Sequence, residues 1–144
     1  MAEEEESVRV EERLKIKIGE AKNLPPRSHS QGGFRDVFCT LSLDQEEIYR
    51  TSTVERTLSP FYGEEFEFEV PRRFRWLAVY VRDMVGPGTS RVIGKAALRR
   101  QQLLQVHGKD HWFPLRPGKA HLELRVDRVL TNSPTGETRH RLCV

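Results

Sequence analysis

The chain has 144 residues, of which 37% are hydrophobic and 31% charged, with a formal net charge of +3. That is enough for one domain with its own core, and no stretch approaches the roughly 20 apolar residues of a membrane-spanning helix. The start, Met1 to Glu6, is acidic where a secretory leader would be basic and then apolar. Only two cysteines occur, Cys39 in an expected strand and Cys143 in a polar stretch. A disulfide framework is therefore not expected, and a reducing, intracellular setting is. Charge is unevenly placed: residues 1–70 hold 9 Lys+Arg against 16 Asp+Glu, and residues 71–128 hold 13 against 4. Such asymmetry points either to an anionic partner or to strands of the two halves interleaving in space.

In chain order, residues 1–12 carry six glutamates and few apolar anchors, which reads as an acidic flexible arm. Leu14, Ile16 and Ile18 alternate with Lys15 and Lys17 in a first strand. A loop rich in Pro, Ser and Gly follows over Leu24 to Arg35. Asp36 to Leu43 forms a second strand with Val37, Cys39, Leu41 and Leu43 on one face. Asp44-Gln45 makes a tight hairpin without the usual glycine, and Glu47 to Thr53 returns as a third strand. In Thr57 to Pro71, Ser59-Pro60 and Gly63 turn the chain. Phe66, Phe68 and Val70 then alternate with Glu65, Glu67 and Glu69, a strand with one apolar and one carboxylate face. Trp76 to Arg82 is the fifth strand, Met84 to Arg91 a loop and Val92 to Leu98 the sixth strand. Arg99 to Val106 is read as a short helix, Asp110 to Leu115 as a seventh strand and Ala120 to Val126 as an eighth. Residues 129–144 read as a polar C-terminal tail, leaving 13–128 as the folded domain.

Eight short strands with frequent turns predict an all-β, eight-stranded antiparallel Greek-key sandwich with one short helix. Up-and-down parity gathers Leu24–Arg35, Glu55–Gly63, Asp83–Arg91 and Arg116–Gly118 at one end. Asp44–Gln45, Pro71–Phe74 and Arg99–Lys109 gather at the other. His107 and His111 are four apart, but Gly108 between them argues against a metal-binding helix. No nucleophile turn or phosphate-binding Gly-rich loop is present. Cys39 reads as a small core residue, and the glutamates from Glu64 to Glu69 as a solvated strand face. Leu142-Cys143-Val144 lacks the spacing of a prenylation signal.

LKIKIGEAKNLP, Asp36 opening a strand, SPFYGEEFEFEVP, LAVYVRD, VIGKAAL, HWFPL and HLELRV together resemble a C2 domain. More narrowly, SLDQEEIYRT, FYGEEF and the run from Leu14 to Val126 resemble the first of two tandem C2 domains in Ras GTPase-activating proteins. The resemblance covers about three quarters of the chain and implies the targeting part of that family alone, as a truncated form, a splice variant or an excised domain. The first strand is expected to enter at the sheet edge, beside the last. The family's calcium sites use aspartates from two loops at one end, and calcium takes about six to eight oxygen ligands. Carried over one at a time, the first of these aspartates falls on Arg27 or Ser28, and two others match Asp36 and Asp83. The remaining positions fall on Val85 and Arg91.

The resemblance thus implies a vestigial calcium site, with Asp36 and Asp83 capping turns or pairing with Arg27 and Arg91, and neither metal nor other cofactor. Arg27, Phe34, Arg35, Met84, Val85 and Arg91, with His29 and Arg116 nearby, are the candidates for contact with an anionic phospholipid membrane surface, at the inner face of the plasma membrane. Arg72, Arg73 and Arg75, with Arg99 and Arg100, form a second basic set suited to protein partners. A module that binds a protein partner and has no lipid affinity is the alternative reading. A monomer that is not an enzyme and has no nucleic-acid partner is expected.

Overall fold

The computed structural model describes residues 8–28, 31–70 and 73–134. Its strands are β1 (Val8–Lys22), β2 (Arg35–Leu43), β3 (Glu46–Arg50), β4 (Val54–Thr57), β5 (Phe61–Glu69), β6 (Trp76–Gly86), β7 (Thr89–Arg99), β8 (Asp110–Pro114) and β9 (His121–Pro134), with helix α1 (Gln102–Val106) between β7 and β8. They form two antiparallel sheets. One has the order β5-β1-β9-β8, the other β3-β2-β6-β7 with β4 also paired to β2. The all-β sandwich with one short helix is therefore as expected.

The period-two pattern explains the packing. Leu14, Ile16 and Ile18 of β1 and Leu122, Leu124 and Val126 of β9 face Val37, Cys39 and Leu41 of β2 and Leu77, Val79 and Val81 of β6, and all are buried in one core. Cys39 lies in it as a fully buried residue, and burial pushes its thiol up to about 12. Tyr62 joins the core and donates its hydroxyl to the Val37 carbonyl at 2.8 Å. Asp44 and Gln45 both take left-handed φ values, 47° and 75°, which is how this hairpin turns without glycine.

Several extents differ from expectation. β1 enters the sheet at Val8 and β9 continues to Pro134, with Val8 opposite Pro134. The expected arm and tail thus contribute residues 8–12 and 129–134 to a ribbon whose backbone groups satisfy each other despite polar sequence. β1 lies beside β9, as expected, but inside the sheet: β5 flanks it on the other side. The expected third strand, Glu47 to Thr53, ends at Arg50, and β4 (Val54–Thr57) is a further strand in a stretch not expected to be one. Thr51 between them donates its N–H to the Cys39 carbonyl and accepts the Cys39 N–H on its hydroxyl, each at 2.9 Å, so a side chain replaces a ladder bond. The expected loop from Met84 to Arg91 is a hairpin. β6 runs to Gly86 and β7 starts at Thr89, with Gly88 at φ 68° in the turn. Register shifts at Val81/Arg82 and Met84/Gly86 disguise the alternation there. Glu64 is not part of the solvated carboxylate face: it accepts the Tyr49 hydroxyl at 2.6 Å and the Ser52 hydroxyl at 2.7 Å.

Candidate functional site

The loop end is built on Asp83. On β6 it follows Leu77, Val79 and Val81 on the inward-facing positions, so its carboxylate closes the end of the core and is fully buried. A buried carboxylate must be compensated. The β1–β2 connection supplies the compensation. Arg27 meets Asp83 with two parallel bonds, Nε to Oδ2 at 2.8 Å and Nη2 to Oδ1 at 2.7 Å. Its Nη2 also donates to the Met84 carbonyl at 2.8 Å. Arg35 donates Nη1 to Oδ2 at 2.8 Å, and the Asp36 N–H donates to Oδ1 at 3.1 Å. Burial alone would push the Asp83 carboxyl up, but the bonds from Arg27, Arg35 and the Asp36 N–H outweigh it and hold it below the usual carboxylate range. The bond to Asp83 in turn raises Arg27.

The loop is shaped to present these arginines. The Arg27 N–H closes onto the Gly33 carbonyl at 2.9 Å, and Arg35 donates to the carbonyls of Pro25 and Pro26. Gly33 has φ 70°, and a Cβ there would stand 2.6 Å from Pro26 Cβ, so only glycine allows the approach. Asp36 is occupied differently: its Oδ1 accepts the Arg56 N–H at 2.9 Å, tying β2 to β4. Both of these carboxylates therefore already have donors. The donor set does not fit calcium, which needs several oxygens converging on one point. Here two guanidinium groups converge on Asp83 instead. Among the described residues no group of three or more His, Cys, Asp and Glu could hold a metal. His107 accepts the Arg128 N–H on Nδ1 at 2.9 Å, a structural bond.

Around this pair opens a cleft of about 340 Å³ lined by Pro26, Arg27, Ser28, Arg35, Asp83, Val85 and Arg91. The structure thus brings together Arg27, Arg35, Asp83, Val85 and Arg91, with Met84 half-buried beside them. Phe34 and Val85 are 45% and 43% exposed. Arg91 stands opposite Asp83 in the β6–β7 ladder, yet it is exposed and has no ion pair among the described residues. Asp83's partners are Arg27 and Arg35 rather than Arg27 and Arg91. Arg35 is buried, so its guanidinium supports the cleft from within. His29 and Arg72 lie outside the described residues; Arg73 and Arg75 are exposed at the opposite end. One residue of this end was not singled out from sequence. Phe61, 66% exposed, pairs with Glu20 near the loop end of β1. Its signal was Gly63, whose missing Cβ leaves room for the Phe61 ring.

Residues 12–115 match the C2 domain family model. Over 117 residues the chain is 56% identical to a GTPase-activating protein of Drosophila melanogaster, covering 76% of this chain and 10% of that protein. It is 46% identical to Ras GTPase-activating protein 3 of Bos taurus, covering 99% of this chain and 18% of the relative. It is also 46% identical to human Ras GTPase-activating protein 2, covering 89% and 16%. The chain thus spans less than a fifth of the length of these curated relatives. Among solved structures, the C2A domain of plant extended synaptotagmin 1 superposes with a TM-score of 0.65 at 23% identity, covering 81% of this chain and 92% of that one. Human GIVD cytosolic phospholipase A2 does so at 0.71 and 19%, covering 87% and 17%. At those identities the likeness is one of fold. The matched span contains both sheets' core strands up to β8 and the whole arginine–aspartate cluster, and on that ground the chain belongs to the C2 domain family.

Proposed function

We propose that this C2 domain is a calcium-independent module that associates with anionic phospholipid surfaces through its loop end, serving to place a Ras GTPase-activating protein at the inner face of the plasma membrane. The observation that carries this reading is Asp83. Its two oxygens already accept from Arg27, Arg35 and the Asp36 N–H, so fixed cations stand where a divalent ion would otherwise neutralise the end. Arg27 and Arg35 offset the charge of Asp83, and Arg91, exposed at the same cleft, adds a further positive charge. A basic residue near an anionic leaflet contributes about 1 kcal/mol, so the attraction is weak and salt-sensitive. Phe34 and Val85, with Phe61, offer apolar side chains for shallow insertion. The role is one of positioning, with the chemistry left to other parts of such a protein.

The test is co-sedimentation with phosphatidylserine vesicles, with calcium and with chelator, at two salt concentrations. Equal binding in both calcium conditions is expected, with loss at the higher salt and a further loss in the double variant Arg91→Glu, Phe34→Ser. Binding that needs calcium, or that ignores the double variant, overturns the reading. Arg35 is not a suitable probe, because removing it uncovers Asp83.

A further inference from the structure

A second feature lies on the outer face of the β2–β6–β7 sheet, away from the loop end. Trp76 stands opposite Arg99 and Tyr80 opposite Lys95 in the β6–β7 register, with Ala78 opposite Ala97 between them. Each aromatic carries its cross-strand cation: Arg99 lies 5.2 Å from the Trp76 ring centroid and Lys95 lies 5.3 Å from that of Tyr80. Arg82 flanks Tyr80 at 5.6 Å. The two cation–aromatic rungs are thus separated by one rung of alanines. That step is a notch, part of a groove of about 510 Å³ that reaches Asp44, Gln45 and Arg75.

The face carries more cations than carboxylates, with Asp44 beside Arg75 at one end. Among the described residues no carboxylate forms an ion pair with Arg75, Arg82, Lys95 or Arg99, whereas Arg13, Arg125 and Arg128 on the other sheet are each paired. Asp44 lines the groove but both its oxygens accept the N–H groups of Arg75 and Trp76. Cations held on ring faces are pre-oriented, so a ligand that meets them loses little side-chain freedom. The two rungs lie four residues apart along the strands, about 13 Å at the rise of a β-strand. One phosphate group meets one rung only, and a flat bilayer does not enter a notch. An extended peptide does both, because its side chains at i, i+2 and i+4 project on one side with the same spacing.

We propose that this face docks an extended acidic segment of a partner protein, with two carboxylates four residues apart on Arg99 and Lys95 and an apolar side chain midway seated on Ala78 and Ala97. The segment has the pattern acidic–x–apolar–x–acidic. The site is separate from the loop end and does not depend on its lipid affinity.

The test is fluorescence anisotropy with a labelled peptide of about twelve residues, built around Glu-Ser-Leu-Ser-Glu in a threonine-rich, extended frame. Saturable, salt-sensitive binding is expected. It should weaken roughly tenfold in Lys95→Glu and in Arg99→Glu, and in a peptide with Gln for Glu. Ala97→Phe, which fills the notch from an exposed position, should weaken it too, and Arg91→Glu should leave it unchanged. Thermal melts confirm that each variant is folded. The proposal is overturned if the Gln peptide binds as tightly, or if the Lys95 and Arg99 variants keep full peptide binding. It is equally overturned if no peptide binds; loss of phosphatidylserine vesicles by those variants would then make the face a lipid site.

Discussion

Replacing Asp83 by Asn removes the charge on which the loop end is built. The Arg35 side chain is only 10% exposed and loses its carboxylate partner, while the Arg27 side chain, 31% exposed, can turn to water. Breaking a buried pair by removing one partner costs about 3–5 kcal/mol. Asn retains one oxygen for a donor, which places Asp83→Asn near 3 kcal/mol. For a chain of this size that is a fall in Tm of about 10 °C. Arg27→Met should cost less than Asp83→Asn, since its side chain is partly exposed and its pair partly screened, and Arg35→Met should fall between the two. Urea denaturation gives the comparison directly, provided the slope is unchanged. A pH series adds an independent check. The folded Asp83 carboxyl lies below its ordinary value. Its contribution is therefore present above the unfolded carboxylate pKa of about 3.9 and disappears as pH falls through the folded value. The native chain should lose stability on acidification more steeply than Asp83→Asn. The reasoning is refuted if Asp83→Asn lies within about 1 kcal/mol of the native chain, or if Arg27→Met costs as much.

Two further outcomes test the core that holds the site. In a Cys143→Ser background, Cys39 should resist iodoacetamide at pH 8 in the folded chain and react fully in denaturant, because it is buried with its thiol pushed up to about 12; rapid labelling of the folded chain, read by mass spectrometry, would contradict that burial. Gly94→Ala should destabilise by about 1–2 kcal/mol, because its Cβ would stand 3.0 Å from the Cβ of fully buried Leu115; a neutral or stabilising change in urea midpoint would show that β7 and the β8–β9 turn have room to separate.

Much of the sandwich is legible along the chain because core-facing apolar residues recur with period two in β1, in the expected second strand and in the Phe66–Val70 stretch, although β2 is buried on both faces from Val37 to Leu43. Where bonds or bulges interrupt that period, legibility fails. Thr51 splits β3 from β4 by taking a ladder bond on its hydroxyl, and two register shifts hide the β6–β7 hairpin as a loop. Of the site, the placement of Arg27 beside Asp83 follows from the family pattern. Arg35 as the second partner does not, because Asp83 and Arg91 are ladder neighbours, yet Asp83 is buried and Arg91 exposed.

By itself the sequence determines the class of fold, since alternation in strands and turn residues between them are local properties. It also shows that most of the aspartates of the family pattern are absent from the loop end. Only the tertiary structure decides what replaces them. Arg27 and Arg35 lie at the two ends of one connection and Asp83 is 48 residues beyond Arg35, and a charge buried at their meeting point must be neutralised wherever donors can reach. The cation–aromatic rungs have the same origin. Trp76 and Arg99 are 23 residues apart, and they face each other only because the β6–β7 register, fixed by a tight turn and two bulges, sets them side by side.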